Sequence, residues 1–316
     1  MPRMQPTIQG SSDPLAGITV LERGWLSSNN VLLHAAPGET GAWLIDTSHV
    51  NHAEQTVVRV RQALAGQALA GIANTHLHSD HCGGNAALQR AFGLRALVPA
   101  PLLQAVRDWD EERLSYRATG QICARFQAGG AIAAGAVIEV GGRRWEALAA
   151  PGHDPDSLMF YDAGHGVLLS ADALWEQGFG VVFPEVAGEP GFDDVGATLD
   201  LIGALPLRIV IPGHGRPFDD VAGALARARA RLRAFQAEPV RHARHAVKVL
   251  LKYHLMEVGA QTQEALLQWA QAAPLLQGVT RLAAPGSSVE GLCRTLLDEL
   301  VAAGALKREG EHYQDG

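Results

Sequence analysis

The fold is decided by one segment, Asn-Thr-His-Leu-His-Ser-Asp-His-Cys-Gly-Gly-Asn, which spans residues 74–85. It follows an apolar run, Leu69–Ala73, that predicts a buried β-strand. His76 and His78 are two residues apart, so at a strand end their side chains point the same way. Asp80 and His81 follow, and the two glycines permit a sharp turn into a helix predicted over Asn85–Phe92. Three imidazoles and a carboxylate this close together would be costly to bury without a cation, so the segment indicates a metal site.

Three further ligand candidates follow apolar runs that predict strands. His153 lies in Ala-Pro-Gly-His-Asp-Pro-Asp-Ser, Asp172 ends Leu-Leu-Ser-Ala-Asp, and His214 lies in Val-Ile-Pro-Gly-His-Gly. In each case a strand delivers a polar residue at its C-terminal end, beside glycine or a small residue. Strand ends hold ligands more firmly than free loops do. The sequence therefore predicts that these residues join the first segment.

Seven ligand candidates are too many for one tetrahedral zinc ion, which takes four. We expect two divalent ions. The first would be bound by His76, His78 and His153, and the second by Asp80, His81 and His214. Asp172 and a water-derived hydroxide would bridge the two. Two ions about 3.5–4 Å apart can activate this water and polarise the attacked group together. Imidazole and carboxylate ligands without thiolate suit zinc, and they also permit iron or manganese.

Strands and helices alternate in two successive sets. The first set has strands predicted over 18–21, 31–35, 42–46, 69–73 and 94–98, with helices over 52–65 and 85–92. The second has strands over 137–140, 145–149, 158–161, 167–170 and 208–211, with a helix over 191–205. Residues 102–127 predict two helices, either a lid over a pocket or a surface hairpin. This order predicts an α/β fold, a four-layer αββα sandwich.

The composition changes after about residue 218, and this change suggests three regions. Residues 1–16 are expected to form an N-terminal extension, 17–237 the catalytic domain and 238–316 a small, mainly helical domain. Helices are predicted over 219–237, 240–258, 262–271 and from a capping box at Ser287 to Ala303. A hairpin over 306–313 would turn at Gly310. Three helices and a terminal hairpin predict a winged-helix-like module.

Charge and cysteine content limit the class of protein. The formal charge of −7 argues against general polyanion binding. Three widely spaced cysteines do not make a disulfide framework, which suits a reducing cytosol. No signal peptide or membrane span is recognisable in the sequence. We therefore expect a cytoplasmic protein that has no membrane partner and acts on a small-molecule substrate, which can be anionic.

The C-terminal region carries one basic stripe, Arg241, Arg244, Lys248 and Lys252, at helical spacing. Lysine and arginine are balanced by acidic residues from 240 onward, so nucleic-acid binding is not expected. A solvated face is the simpler interpretation of the stripe. We expect the module to pack on the catalytic domain or to mediate a homodimer.

Aromatic residues follow Asp172 immediately. Trp175, Phe179 and Phe183 lie in an apolar, glycine-containing segment that predicts a substrate wall beside the metals. Core packing or a dimer contact is the alternative interpretation of these residues. Asp80 is expected to orient the nucleophile or to relay a proton, in addition to binding metal.

The pattern His-x-His-x-Asp-His, followed by Pro-Gly-His, a strand-end Asp and a final Gly-His, resembles the metallo-β-lactamase-fold superfamily over residues 17–220. The resemblance implies the αββα sandwich and a dinuclear hydrolase site at one sheet edge, with the seven ligands named above. The site is most similar to the glyoxalase II type. Asp172 stands where β-lactamases of this fold typically have Cys, which argues against antibiotic hydrolysis. The C-terminal region resembles the winged-helix-like tail of one branch, near β-lactamase-like protein 2.

These features predict a dinuclear metallohydrolase in which a metal-bridging hydroxide attacks an ester, thioester or lactone carbonyl. Three alternatives stay open at this point. They are a phosphodiesterase or RNA endonuclease on the same metals, a mononuclear iron sulfur dioxygenase, and a non-enzymatic winged-helix regulator.

Overall fold

Two β-sheets pack face to face at the centre of the structure, a computed structural model that describes residues 13–316. In the described part of the chain the first sheet has six strands, whose spatial order follows the chain. They are β1 (Ile18–Leu21), β2 (Asn30–Leu33), β3 (Ala42–Ile45), β4 (Leu69–Ala73), β5 (Leu97–Pro99) and β6 (Gly130–Ile132). The first three strands are antiparallel, and β3 to β6 are parallel to one another.

Among the described residues the second sheet has five strands, with β11 and β7 at its edges. They are β7 (Val137–Val140), β8 (Arg143–Ala149), β9 (Leu158–Asp162), β10 (Val167–Ala171) and β11 (Ile209–Pro212). Neighbours are antiparallel except β10 and β11. It follows that β8, β10 and β11 run in the same direction, so the polar residues that follow these strands lie at the same end of the sheet, where the three strands terminate.

Within residues 13–316, eight helices accompany the two sheets. They are α1 (Ala53–Leu64), α2 (Ser79–Cys82), α3 (Asn85–Phe92), α4 (Leu103–Asp108), α5 (Tyr116–Thr119), α6 (Phe183–Ala187), α7 (Phe192–Ala204) and α8 (Val221–Ala237). Short 3-10 turns cover Val50–His52 and Ala100–Leu102. The two helices expected over residues 102–127 are α4 and α5, and both are short.

Apolar side chains of the two sheets interlock between them. Val31 and Ile45 of the first sheet share one buried cluster with Trp145, Phe160 and Ile211 of the second. On the outer face of the first sheet, α1 and α3 bury a separate cluster, and α7 and α8 do the same on the second. This alternation of helix, sheet, sheet and helix confirms the predicted αββα sandwich.

The C-terminal region begins with the long helix α9 (Pro239–Val258). It continues with β12 (Gln261–Thr262), α10 (Gln263–Ala272), α11 (Pro274–Ala283), α12 (Val289–Ala302), β13 (Leu306–Glu309) and β14 (His312–Asp315). The last two strands form the expected hairpin, and β12 joins it as a third strand.

Two expectations for this region were wrong. Helix α11 was missed, although Pro274 at its first turn is a typical start signal. The cap of α12 is Ser288 rather than Ser287, because the Ser288 side chain accepts a hydrogen bond from the Gly291 amide. The winged-helix-like assignment and the three-region division stay predictions, and residues 1–12 of the N-terminal extension lie outside the described part of the chain. Within 13–316, no helix combines the length and apolar character that crossing a bilayer requires.

Candidate metal centre

The structure brings His76, His78 and His153 together where β4 and β8 end. His76 Nε2 lies 3.0 Å from His78 Nδ1, which in turn lies 2.8 Å from His153 Nε2. All three side chains are buried. Three ring nitrogens that converge on one point are the arrangement expected of ligands to a single cation.

A second group contains Asp80, His81, Asp172 and His214, and it is also buried. Asp80 Oδ2 lies 3.0 Å from His214 Nε2 and 3.7 Å from His81 Nε2. Asp172 Oδ1 lies 3.4 Å from His81 Nε2, while its Oδ2 lies 3.4 Å from His153 Nε2. The two carboxylate oxygens of Asp172 therefore face different groups, as a bridging ligand would.

Hydrogen bonds from the far side of two rings select their tautomers. His81 Nδ1 donates to Asp46 Oδ2 at 2.8 Å, and Asp46 also accepts from the Thr75 amide and hydroxyl. His153 Nδ1 donates to the Val181 carbonyl at 2.6 Å. Both bonds leave the Nε2 lone pair directed at the cluster, which is the orientation that metal-binding histidines require.

Burial, and next the neighbouring His81, lower the pKa of His76 well below its usual range. Burial likewise lowers the pKa of His78 and of His153 to about 4. Burial by itself would lower the pKa of His81, but the carboxylates of Asp80 and Asp172 raise it well above the ordinary value. The first group therefore offers neutral nitrogens, and the second concentrates negative charge.

The donor set fits divalent cations. It consists of five imidazoles and two carboxylates, which zinc, iron and manganese accept. His81 Nε2 is buried, faces two carboxylates and makes no hydrogen bond within the described chain. A cation placed between these groups would satisfy that nitrogen. Cys82 lies outside both groups, and its Sγ donates to the Leu77 carbonyl instead.

Two glycines permit the close approach of the ligand loops. A Cβ on Gly213 would lie 2.3 Å from Asp172 Oδ1, and one on Gly180 would lie 2.4 Å from His153 Nδ1. Any larger residue would displace a ligand side chain. The requirement for glycine here comes from tertiary packing and is not visible in the local sequence.

A cavity of about 360 Å³ opens onto both groups. Its wall includes three aromatic residues that were predicted to line it, Trp175, Phe179 and Phe183. The Trp175 indole Nε1 donates to Asp172 Oδ1 at 3.1 Å. The ring centroids of Phe183 and His78 lie 4.9 Å apart. Their role as a substrate wall stays a prediction.

Sequence reasoning missed several cavity residues. Trp25 is 57% exposed and stacks on His214 with ring centroids 5.4 Å apart. Helix α9 contributes Leu250, Tyr253 and Met256 from the C-terminal region, which was expected to pack on the catalytic domain or to mediate a homodimer. The Tyr253 hydroxyl lies 2.7 Å from Ser79 Oγ, next to the first metal motif. No local signal distinguishes Leu250, Tyr253 and Met256 from ordinary core residues, since only the docking of α9 brings them to the site.

The basic stripe on α9 is largely neutralised within the C-terminal region. Arg244 and Lys248 both pair with Glu299, at 2.6 and 2.7 Å, and Lys252 pairs with Asp315. These ion pairs favour the interpretation of the stripe as a solvated helix face over its interpretation as an anion-binding face. They give no support to a basic track for nucleic acid on this helix.

Comparison with known proteins identifies a family and several relatives. A family model described as the metallo-beta-lactamase superfamily matches residues 23–214. A hydroxyacylglutathione hydrolase from Chelativorans sp. (strain BNC1) is 26% identical over 194 residues, which make up 60% of this chain and 64% of that protein. Across the hydroxyacylglutathione hydrolases first matched, this chain spans about half to two thirds of their length.

Solved structures extend the likeness beyond the matched family region. A metallo-beta-lactamase family protein from Thermus thermophilus has a TM-score of 0.56 and 23% identity, covering 96% of this chain and 100% of that one. At this identity the likeness concerns the fold alone. The protein TTHA1623, described in a di-iron-bound form, has a TM-score of 0.51 and 25% identity, covering 68% of this chain and 98% of that one.

Proposed function

The chain belongs to the metallo-beta-lactamase superfamily, and from this premise we propose that it is a dinuclear metal-dependent hydrolase acting on an ester, thioester or lactone carbonyl. The observation that carries the proposal is the pair of buried ligand groups joined by Asp172, which opens onto an apolar cavity. Histidines alone could serve a structural role. Five of them with two carboxylates, facing a cavity, are typical of a catalytic metal site.

We infer that His76, His78 and His153 hold one ion and that Asp80, His81 and His214 hold the other, with Asp172 between them. When bound, two such ions supply Lewis acidity and a hydroxide nucleophile at neutral pH. The chain's own contribution is orientation, because Asp46 and the Val181 carbonyl fix two ligand rings. Zinc is the proposed metal, and the di-iron form of a similar protein makes iron the first alternative to test.

Among carbonyl substrates we favour a thioester. Several relatives carry the name hydroxyacylglutathione hydrolase, and that reaction cleaves a thioester. Trp25 and Trp175 lie edge to face, 5.4 Å apart, next to His214, and they offer an apolar surface to a leaving thiol. Asp80, 3.0 Å from His214 Nε2, is the proposed residue for orienting the nucleophile or relaying a proton.

We further propose that catalysis resides in residues 17–237 and that residues 238–316 form a docked region, as the change in composition suggests. The C-terminal region closes one side of the cavity through α9. We also propose that this region is winged-helix-like, that the protein forms a homodimer and that it is located in the cytoplasm.

Hydrolysis of a panel of thioesters, lactones and phosphodiesters by metal-analysed protein tests this function. We expect thioester or lactone turnover with about two metal ions per chain. The variants His78→Ala and Asp172→Asn should lose metal and at least about a hundredfold in kcat, because each removes a ligand. The exposed His312→Ala is the matched control and should behave as wild type. Full turnover in a variant shown to have lost its metal would refute the mechanism, and turnover of phosphodiesters alone would replace the substrate class.

A further inference from the structure

Arg231 lies in the wall of the same cavity as the metal ligands, and none of the roles described above uses it. It projects from α8 against the segment that carries the aromatic wall. Its guanidinium carbon lies 5.6 Å from the Phe179 ring centroid and 5.3 Å from that of Phe235. A Cβ on Gly178 would lie 3.0 Å from Arg231 Nη1. The guanidinium is thus held firmly, by two aromatic rings and a backbone that approaches closely.

This guanidinium has no anionic partner among residues 13–316. Its single hydrogen-bond acceptor there is His245 Nε2, 2.7 Å from Nη2, while Nε is buried and unpaired. Burial, and then the positive charge of Arg241, lower the pKa of Arg231. Arginine nevertheless stays protonated at neutral pH. A cation held in a cavity wall without a counterion is costly, and a bound anion would offset that cost.

The other basic groups of the cavity are already used. Lys252 Nζ donates to the Ala305 carbonyl at 2.8 Å and pairs with Asp315. Burial, and then the charge of Arg231, lower the pKa of His245 to about 3, so this ring is neutral and accepts the guanidinium hydrogen bond. Within the described chain, Arg231 is therefore the one arginine or lysine of the cavity wall that lacks a carboxylate partner.

Arg231 also lies close to the reacting end of the cavity. The segment it contacts, Gly178 and Phe179, is flanked on one side by Trp175, which hydrogen-bonds Asp172. On the other side it is flanked by Gly180, whose backbone borders the His153 ring. One short loop thus separates the guanidinium from two metal-ligand candidates. A small substrate whose carbonyl lay at the metals could place a second group at Arg231.

We propose that Arg231 is a specificity-determining residue that binds an oxyanion of the substrate, a carboxylate or a phosphate, remote from the attacked carbonyl. The site would then select thioesters that are apolar along their length and anionic at one end. This inference rests on the proposed hydrolase function, and it narrows the substrate class. Guanidinium groups pair readily with both oxyanions, so chemistry alone leaves the identity of the anion and its side of the thioester to experiment.

The test compares matched thioesters that differ in one charge. The first pair consists of the adipyl and hexanoyl thioesters of N-acetylcysteamine, of which only the adipyl compound carries a carboxylate on the acyl side. The second comparison uses hexanoyl thioesters of a carboxylated or a phosphorylated thiol, which carry the anion on the leaving thiol instead. Wild type should prefer the anionic member of at least one pair in kcat/KM. In Arg231→Met this preference should fall about 10- to 100-fold, mainly through KM, and Arg231→Lys should keep part of it. The ratio within each variant cancels any loss of correctly folded enzyme.

Arg233→Gln is the matched control, because Arg233 lies two residues along the same helix, is exposed and does not line the cavity. It should keep the wild-type ratio. Wild type without any anionic preference, or Arg231→Met with an unchanged preference, would overturn the inference.

Failure of the hydrolase proposal itself would look different, since wild type would then cleave no thioester. Calorimetric binding of adipate and of adipamide to the metal-loaded protein separates the two cases. Tighter binding of adipate that is lost in Arg231→Met would support the anion site even then, and equal binding by the variant would overturn it.

Discussion

Single hydrogen bonds behind the ligands decide which ring nitrogen faces the candidate metal centre. Asp46 shows this most directly, because its Oδ2 accepts from His81 Nδ1 and its Oδ1 from the Thr75 amide. It is buried and adopts a positive φ of 57°, a conformation that non-glycine residues rarely occupy. Strain of this kind persists where the surroundings require it. Asp46 is therefore a positioning residue, although it touches no part of the cavity.

Asp46→Asn should weaken metal binding about 10- to 100-fold, because the amide no longer holds His81 by a charge-assisted bond in one tautomer. Competition with a chromophoric chelator measures the metal affinity. Asp200→Asn is the control, since Asp200 pairs with Arg229 at the surface. Metal affinity within about twofold of wild type in Asp46→Asn would remove this residue from the account of the site.

Helix α9 connects the C-terminal region to the catalytic sandwich through one buried carboxylate. Glu257 Oε1 accepts from His49 Nε2 at 3.0 Å and from the Ile122 amide at 2.8 Å. The Glu257 backbone carbonyl accepts from Asn51 Nδ2 at 2.6 Å. Three separate parts of the chain thus meet at the C-terminal end of α9. One turn earlier, the same helix places Tyr253 in the cavity wall.

Glu257→Ala should lower the free energy of unfolding by about 1–3 kcal/mol, because it leaves the buried His49 ring N–H and the partly buried Ile122 amide without their acceptor. It should also raise amide exchange at residues 47–52 and 121–122. Urea unfolding and hydrogen exchange measure the two effects. Glu264→Ala on α10 removes an exposed carboxylate and should change neither. Unaltered stability in Glu257→Ala would mean that α9 docks through its apolar face alone.

Across the whole molecule, the sandwich and the C-terminal region share one buried surface. Val181 and Val186 of the sandwich belong to the same apolar cluster as Val247, Leu251 and many other residues of the C-terminal helices. The cavity lies at this junction, so its lining depends on both parts of the chain. The candidate metal ligands are buried there as well, which makes the stability of the molecule sensitive to their protonation.

The metal-free protein should lose stability as the pH falls from about 6.5 to about 4. In the folded chain burial lowers the pKa of His78 and of His153 to about 4, whereas the unfolded chain protonates histidine near 6.5. Between these values the unfolded state binds more protons, so the free energy of unfolding decreases with decreasing pH. Above about 6.5 these two groups contribute no slope.

Urea unfolding of chelator-treated protein at several pH values measures this slope. His153→Ala should reduce it, and the exposed His312→Ala should keep the wild-type slope. Equal slopes in wild type and in His153→Ala would show that His153 titrates normally in the folded chain.

Much of the site could be predicted from short segments. The candidate ligands in residues 74–85, and His153, Asp172 and His214 after apolar runs, could be recognised because a strand followed by a small residue and a donor is a local pattern. That these residues meet was expected from their positions at strand ends and their shared ligand chemistry, whereas the common direction of β8, β10 and β11 is seen only in the structure. The αββα layers followed in the same way from two sets of alternating strands and helices.

What only the tertiary structure decided is the surroundings of those ligands. In the sequence, Leu250, Tyr253 and Met256 belong to one apolar face of a helix, and Arg231 is one arginine among several on α8. Which surface such a face packs against depends on the shape and packing of segments that lie far apart in the chain. The local periodicity of apolar residues does not indicate this surface. For this reason the sequence alone indicated the chemistry of the centre, whereas the cavity that selects a substrate emerged only from the fold.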